Sequence, residues 1–108
     1  MIYAVDVDGT LFEEKWPELG RPNIGLINFL KLVRSKGDKV ILWTLREDDD
    51  LDYAVRRCAE HGLEFDAVND NLPEVQKMWG NNPRKVAADF YIDDRNMAMI
   101  GSFTDEES

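Results

Sequence analysis

Two aspartates one residue apart, Asp6 and Asp8, follow a short apolar run, Ile2-Tyr3-Ala4-Val5, and lead into Gly9-Thr10-Leu11. A second acidic pair, Asp93-Asp94, follows another short run that ends in Phe90-Tyr91-Ile92. Side chains alternate along an extended chain, so residues two apart, such as Asp6 and Asp8, face the same side. In an open parallel α/β sheet, ligands bind beyond the carboxyl ends of the strands, and acids at two such ends are candidates for chemistry. If the two runs are neighbouring strands, four carboxylates converge. Two unit charges ~4 Å apart repel by about 4 kcal/mol at an effective dielectric of ~20, so such a cluster requires protons or a cation. An all-oxygen donor set with room for water and a phosphate suits Mg²⁺, the expected cofactor.

The elements that must carry these residues can be read from the pattern. Residues 2–5 form a buried strand by their branched and aromatic composition. Apolar residues at Ile24, Ile27, Leu30, Leu32 and Val33 predict a helix over 22–36 that stops at Gly37. Residues 40–45 form a second strand. A helix then starts in the acids Asp48-Asp49-Asp50 and ends at His61-Gly62, with Leu51, Ala54, Val55, Cys58 and Ala59 on one face. A third strand lies over 65–68, a turn over 69–73, a short helix over 74–79, a loop over 80–83 and a fourth strand over 88–92. Alternating strands and helices give right-handed crossovers and a parallel sheet covered on both faces. The interval 11–21 reads as a loop, and the acidic tail 104–108 is expected to fray.

The chain has 108 residues, 44% of them hydrophobic, which supports one domain with a modest core. It has no long apolar stretch and no basic leader followed by an apolar one, so no membrane association and no export are expected. The single cysteine, Cys58, falls in a helical pattern and reads as a buried thiol, which points to the cytoplasm. The net charge of −9 opposes a long series of phosphate contacts and makes duplex nucleic acid an unfavourable partner.

The sequence resembles the haloacid dehalogenase-like phosphohydrolases. The first motif of that superfamily matches Asp6-Val7-Asp8-Gly9-Thr10, the second matches Thr44 at the end of the next strand, the third is best matched by Lys85, and the fourth matches Asp93-Asp94. The resemblance implies one Rossmann-like three-layer α/β sandwich over 1–108, with strand order 3-2-1-4. It also implies a covalent route, in which Asp6 attacks phosphorus to form an aspartyl-phosphate and Asp8 transfers protons. Thr44 and Lys85 would donate to the phosphoryl oxygens, Lys85 also holding Asp6. Mg²⁺ would be held by Asp6, the backbone carbonyl of Asp8, Asp93 and Asp94. Thr10 and Arg46 are substrate-binding candidates, Arg46 at the rim for a distal acidic group.

Larger members of the superfamily insert a cap domain; the intervals here leave no room for one, and little chain remains for a fifth strand. Water exclusion would then fall to residues 11–21, with Phe12 and Trp16, to the substrate's bulk or to a second copy in a homo-oligomer. The expected activity is hydrolysis of a small phosphate monoester. The alternatives are hydrolysis of a phosphoanhydride by the same residues, or a regulatory module that binds Mg²⁺ and phosphate without turnover. Several residues read as structural: Trp43 and Trp79 as core, Asp48 to Asp50 as acids at a helix start, His61 as a helix end, and Arg95 as the partner of Asp94 or of a surface acid.

Overall fold

In the computed structural model, residues 1–105 are described; residues 106–108, and with them most of the tail expected to fray, lie outside. The central strand β1 (Ile2–Val5) pairs in parallel with β4 (Lys39–Leu42) on one side and β6 (Phe90–Ile92) on the other, and β5 (Ala67–Val68) continues the sheet beyond β4. The order β5-β4-β1-β6 is the expected 3-2-1-4 order of the four parallel strands.

Alternation divides the core. Val5, Val40 and Leu42 face one side, where they meet Ile27, Leu30 and Val33 of α1 (Ile24–Ser35) and Ala54 and Cys58 of α2 (Asp48–Glu60). Ala4 and Ile41 face the other side, where they meet Leu72, Val86 and Val75, the last on α3 (Pro73–Trp79). Both sheet faces are therefore dry, which is why the strands are apolar at successive rather than alternate positions. The result is a three-layer α/β sandwich.

The helix ends follow local chemistry. The Asn23 side chain accepts from Leu26 N–H at 3.2 Å to cap α1, and the chain leaves that helix at Gly37, with φ +100°. Asp48, Asp49 and Asp50 fill the first turn of α2, where the helix dipole favours acids, and His61 closes that helix. Pro73 opens α3 and Gly80, in the left-handed region, closes it.

The strand expected over 40–45 stops at Leu42, and two others begin later than the apolar runs predict because an aspartate side chain replaces the ladder. Asp66 accepts from Val40 N–H at 2.8 Å and from the Arg34 guanidinium at 3.1 and 3.2 Å, joining α1 to the start of β4. Asp89 accepts from Ile2 N–H and returns its own N–H to the Ile2 carbonyl at 2.8 Å.

The interval 11–21 is not a loop. It is an antiparallel hairpin of β2 (Phe12–Lys15) and β3 (Glu18–Pro22), turning at Trp16-Pro17, whose peptide bond is cis. In β2 only Phe12 is buried, and the register is irregular between Phe12 and Glu14. The alternation that marks a strand is thus missing from the sequence, and the pairing is held instead by contacts such as the Arg21–Glu13 fork at 2.7 and 2.9 Å. Phe12 itself is buried in the core and does not enclose a ligand. Among the described residues no strand follows β6, so β6 is a sheet edge. Among the described residues no helix is long and apolar enough to cross a membrane.

Candidate active site

The carboxyl ends of β1 and β6 are tied together by Asp6 N–H, which donates to the Ile92 carbonyl at 3.0 Å. Past that bond the two strands release Asp6 on one side and Asp93-Asp94 on the other. Asp6, Asp93 and Asp94 each bring a carboxylate oxygen into a group whose members all lie within 4.8 Å of one another. The Asp6 carboxyl is pushed up to about 6, first by burial and then by Asp93, Asp8 and Asp94, while Val7 N–H, donating at 2.8 Å, works against the rise.

The turn after β1 fits these acids closely. Gly9 has φ +76°, its N–H donates to the Phe12 carbonyl at 2.8 Å, and a Cβ at this position would collide with the Asp94 carboxylate. Thr10 Oγ1 accepts from Asp94 N–H at 3.1 Å, so Thr10 positions the acidic pair rather than standing free for a substrate. Asp93 Oδ1 accepts from Arg95 N–H at 2.9 Å.

Asp8 does not join the group. Both of its oxygens accept from Arg46, Oδ2 from Nε and Oδ1 from Nη2, each at 2.8 Å. Arg46 is 1% exposed. Its other bonds go to the carbonyls of Pro17 at 2.9 Å, Asp50 at 3.3 Å and Glu18 at 3.4 Å. Trp16 and Tyr53 lie by the guanidinium, with ring centroids 4.7 and 5.9 Å from its central carbon. The expectation that Arg46 meets a substrate's distal group is therefore corrected. A buried guanidinium has to be paired throughout, and here Asp8 and three carbonyls take every donor. Arg46 braces Asp8 against the tip of the β2–β3 hairpin.

Thr44 lies half-buried beside this brace. Its N–H donates to Asn69 Oδ1 at 2.8 Å, and its Oγ1 accepts from Arg46 N–H at 3.2 Å. Asn69 was not singled out in the sequence, although it sets the end of β4. It adopts φ +52°, a conformation asparagine tolerates better than most residues, and its place in a turn is the one signal that pointed to it.

Lys85 is a second correction. It is exposed, with its Nζ 5.2 Å from the centre of the Tyr91 ring, and it is not among the residues lining the cleft. The 80–89 connection ends at an exposed rim, where a strongly hydrated ammonium finds water and an aromatic face without entering the acids. Of the two cations that line the cleft with Asp6, Asp8 and Asp93, Arg46 is taken up by Asp8 and the three carbonyls, which leaves Arg95, a residue the sequence reads as a surface partner. The cleft encloses about 540 Å³, and its remaining wall is formed by Thr44, Trp16, Trp43, Leu45 and Glu14. Trp43 is thus partly a cleft residue, and Trp79 is 49% exposed; neither belongs wholly to the core.

No protein-family model matches the sequence, and no curated protein does. Among solved structures, one described as that of a conserved protein coded by a locus from Bacteroides thetaiotaomicron is similar, with a TM-score of 0.79 at 40% identity. The likeness covers 94% of this chain and 82% of that one. The chain belongs to the family of that conserved protein. Membership of this family extends the fold to a second sequence and names no activity.

Proposed function

We propose that the protein is a Mg²⁺-dependent phosphohydrolase of the haloacid dehalogenase-like type, acting on a phosphate monoester through an aspartyl-phosphate on Asp6. The observation that carries this reading is the meeting of Asp6, Asp93 and Asp94 oxygens within 4.8 Å, from opposite ends of the chain. The donor set fits Mg²⁺: it is oxygen only, and the Asp6 carboxyl is raised first by burial and then by its acidic neighbours, a cost to the charged form that a divalent cation would relieve. Asp6, Asp93 and Asp94 would hold the ion, with the Asp8 carbonyl as the fourth expected ligand. When bound, Mg²⁺ supplies positive charge that lets an anionic nucleophile approach an anionic phosphate.

The rest of the chemistry falls to the chain. Asp6 attacks phosphorus as the ester oxygen leaves, and the acyl phosphate is then opened by water, which splits one hydrolysis into two easier steps. Asp8, oriented by Arg46, takes the proton from that water; giving a proton to the leaving oxygen requires one of its two Arg46 bonds to open. Thr44 stands at the next strand end to donate to a phosphoryl oxygen, and Arg95 is the cation at the mouth. The β2–β3 hairpin, the substrate's own bulk or a second copy would exclude water. The buried thiol of Cys58 fits a cytoplasmic site of action.

A second reading, a module that binds Mg²⁺ and phosphate without turnover, is favoured by Lys85 standing away from the cleft and by the engagement of Asp8 with Arg46. Release of phosphate from an aryl phosphate and from pyrophosphate, with and without Mg²⁺, separates the readings. Metal-dependent release by the native protein that is lost in Asp6→Asn supports the enzyme, and the better substrate decides between ester and anhydride. Binding with no release by the native protein supports the module.

A further inference from the structure

The cleft has an apolar wall that the acids do not explain. Trp16 is 58% exposed and Leu45 is 97% exposed, yet both line the cleft that contains Asp6, with half-buried Trp43 beside them. Large apolar groups left in water beside a group of carboxylates are informative in a way that a scattered surface leucine is not. Leu45 lies in the bend that follows β4, between half-buried Thr44 and buried Arg46, whose N–H bonds back to Thr44 Oγ1 at 3.2 Å across it. Trp16 occupies the hairpin tip, which Arg46 holds by bonding the Pro17 carbonyl at 2.9 Å and by placing its guanidinium 4.7 Å from the Trp16 ring centre. The indole is fixed before any ligand arrives, so little conformational freedom is lost when something packs on it.

From this wall we infer that Trp16, with Leu45 and Trp43, forms a subsite for a flat ring carried on the phosphate, so that the substrate class is an aryl or nucleoside monophosphate. The inference rests on the proposed phosphohydrolase for its phosphate end. Its ring end stands on the wall alone. A flat π-system fits a preset indole and an aliphatic neighbour, and stacking of this kind tolerates different rings because each has a π-face. A polyhydroxylated sugar would have to find hydrogen-bond partners along a wall that is mostly apolar, and would leave hydroxyls unpaired.

The test compares naphthyl phosphate, a nucleoside 5′-monophosphate and a hexose phosphate, each with Mg²⁺, for the native protein, Trp16→Ala, Trp16→Phe and Leu45→Ser. The ratio of kcat/KM for ring over hexose substrates should fall about ten-fold in Trp16→Ala, mostly through KM, and recover largely in Trp16→Phe. Leu45→Ser cannot disturb packing at so exposed a position and should lower the same ratio by a smaller factor. A second arm uses Asp6→Asn, with ring-phosphate binding read by tryptophan fluorescence.

Turnover by the native protein with the ratio unchanged in both wall variants overturns this inference and leaves the phosphohydrolase intact. Trp16-dependent binding of naphthyl phosphate with no turnover by the native protein supports the subsite and overturns the phosphohydrolase. Neither binding nor turnover overturns both. If the ratio behaves as expected, the better of the two ring substrates says whether the ring is a nucleobase or a simple arene.

Discussion

Replacing Asp6 by Asn should make the metal-free protein more stable while removing its proposed reaction. The Asp6 carboxyl is raised from an ordinary value of 3.8 to about 6, with burial the largest cause and Asp93, Asp8 and Asp94 adding to it. That rise corresponds to about 3 kcal/mol of cost for the ionised form; the group is only half-buried, and solvent screening reduces this to about 1 kcal/mol. A carboxyl raised on folding keeps the native state the stronger proton binder between the two values. Stability is therefore highest below pH ~4 as far as this group is concerned, and is lost as pH rises through about 6. An Asn amide oxygen can still accept the Val7 N–H bond that Asp6 accepts at 2.8 Å, and it carries no charge.

The assay is urea unfolding in chelator, native against Asp6→Asn, from about pH 4 to about pH 7. The stability difference should grow by about 1 kcal/mol in favour of the variant across that range. Using the difference cancels other groups, such as Asp66, which burial raises but Arg34 and Val40 N–H together lower. Saturating Mg²⁺ should reverse the order, since a ligand at ~100 times its Kd adds about 2.7 kcal/mol to the form that binds it. A variant less stable than the native protein in chelator near pH 7 would refute the cost assigned to the charged Asp6 carboxyl in this site.

Other outcomes follow from single contacts. Arg46→Met strands Asp8 without its guanidinium and should cost about 3 kcal/mol by chemical denaturation; Arg46→Lys, which keeps charge but loses the fork, should recover only part of that. Gly9→Ala meets both a left-handed φ and the Asp94 carboxylate, so it should lose about 2 kcal/mol of stability and weaken Mg²⁺ binding measured by calorimetry. Lys85→Ala removes an exposed ammonium and should change stability by less than about 0.5 kcal/mol and phosphate release by less than about three-fold. A hundred-fold loss of release in that variant would mean that Lys85 enters the cleft when substrate binds.

Much of the architecture can be read locally, because buried parallel strands and amphipathic helices are written as runs and periods. The first strand, the α1 face of Ile27, Leu30 and Val33, the α2 start at Asp48 to Asp50 and the stops at Gly37 and Gly62 depend on neighbours within a few residues. The acidic pairs at two strand ends were legible for the same reason, as was the side they must share if the strands adjoin. The β2–β3 hairpin was not legible, because its pairing rests on an Arg21–Glu13 contact and on the Arg46 brace rather than on alternation. Whether Lys85 or Arg95 enters the cleft, and whether Arg46 faces a ligand or Asp8, depends on side-chain reach. Arg46 and Asp8 are 38 positions apart, and no spacing rule carries across that distance. Sequence alone determined which carboxylates stand at the strand ends; only tertiary structure decided which cations meet them, because a long basic side chain goes where burial leaves acceptors unpaired.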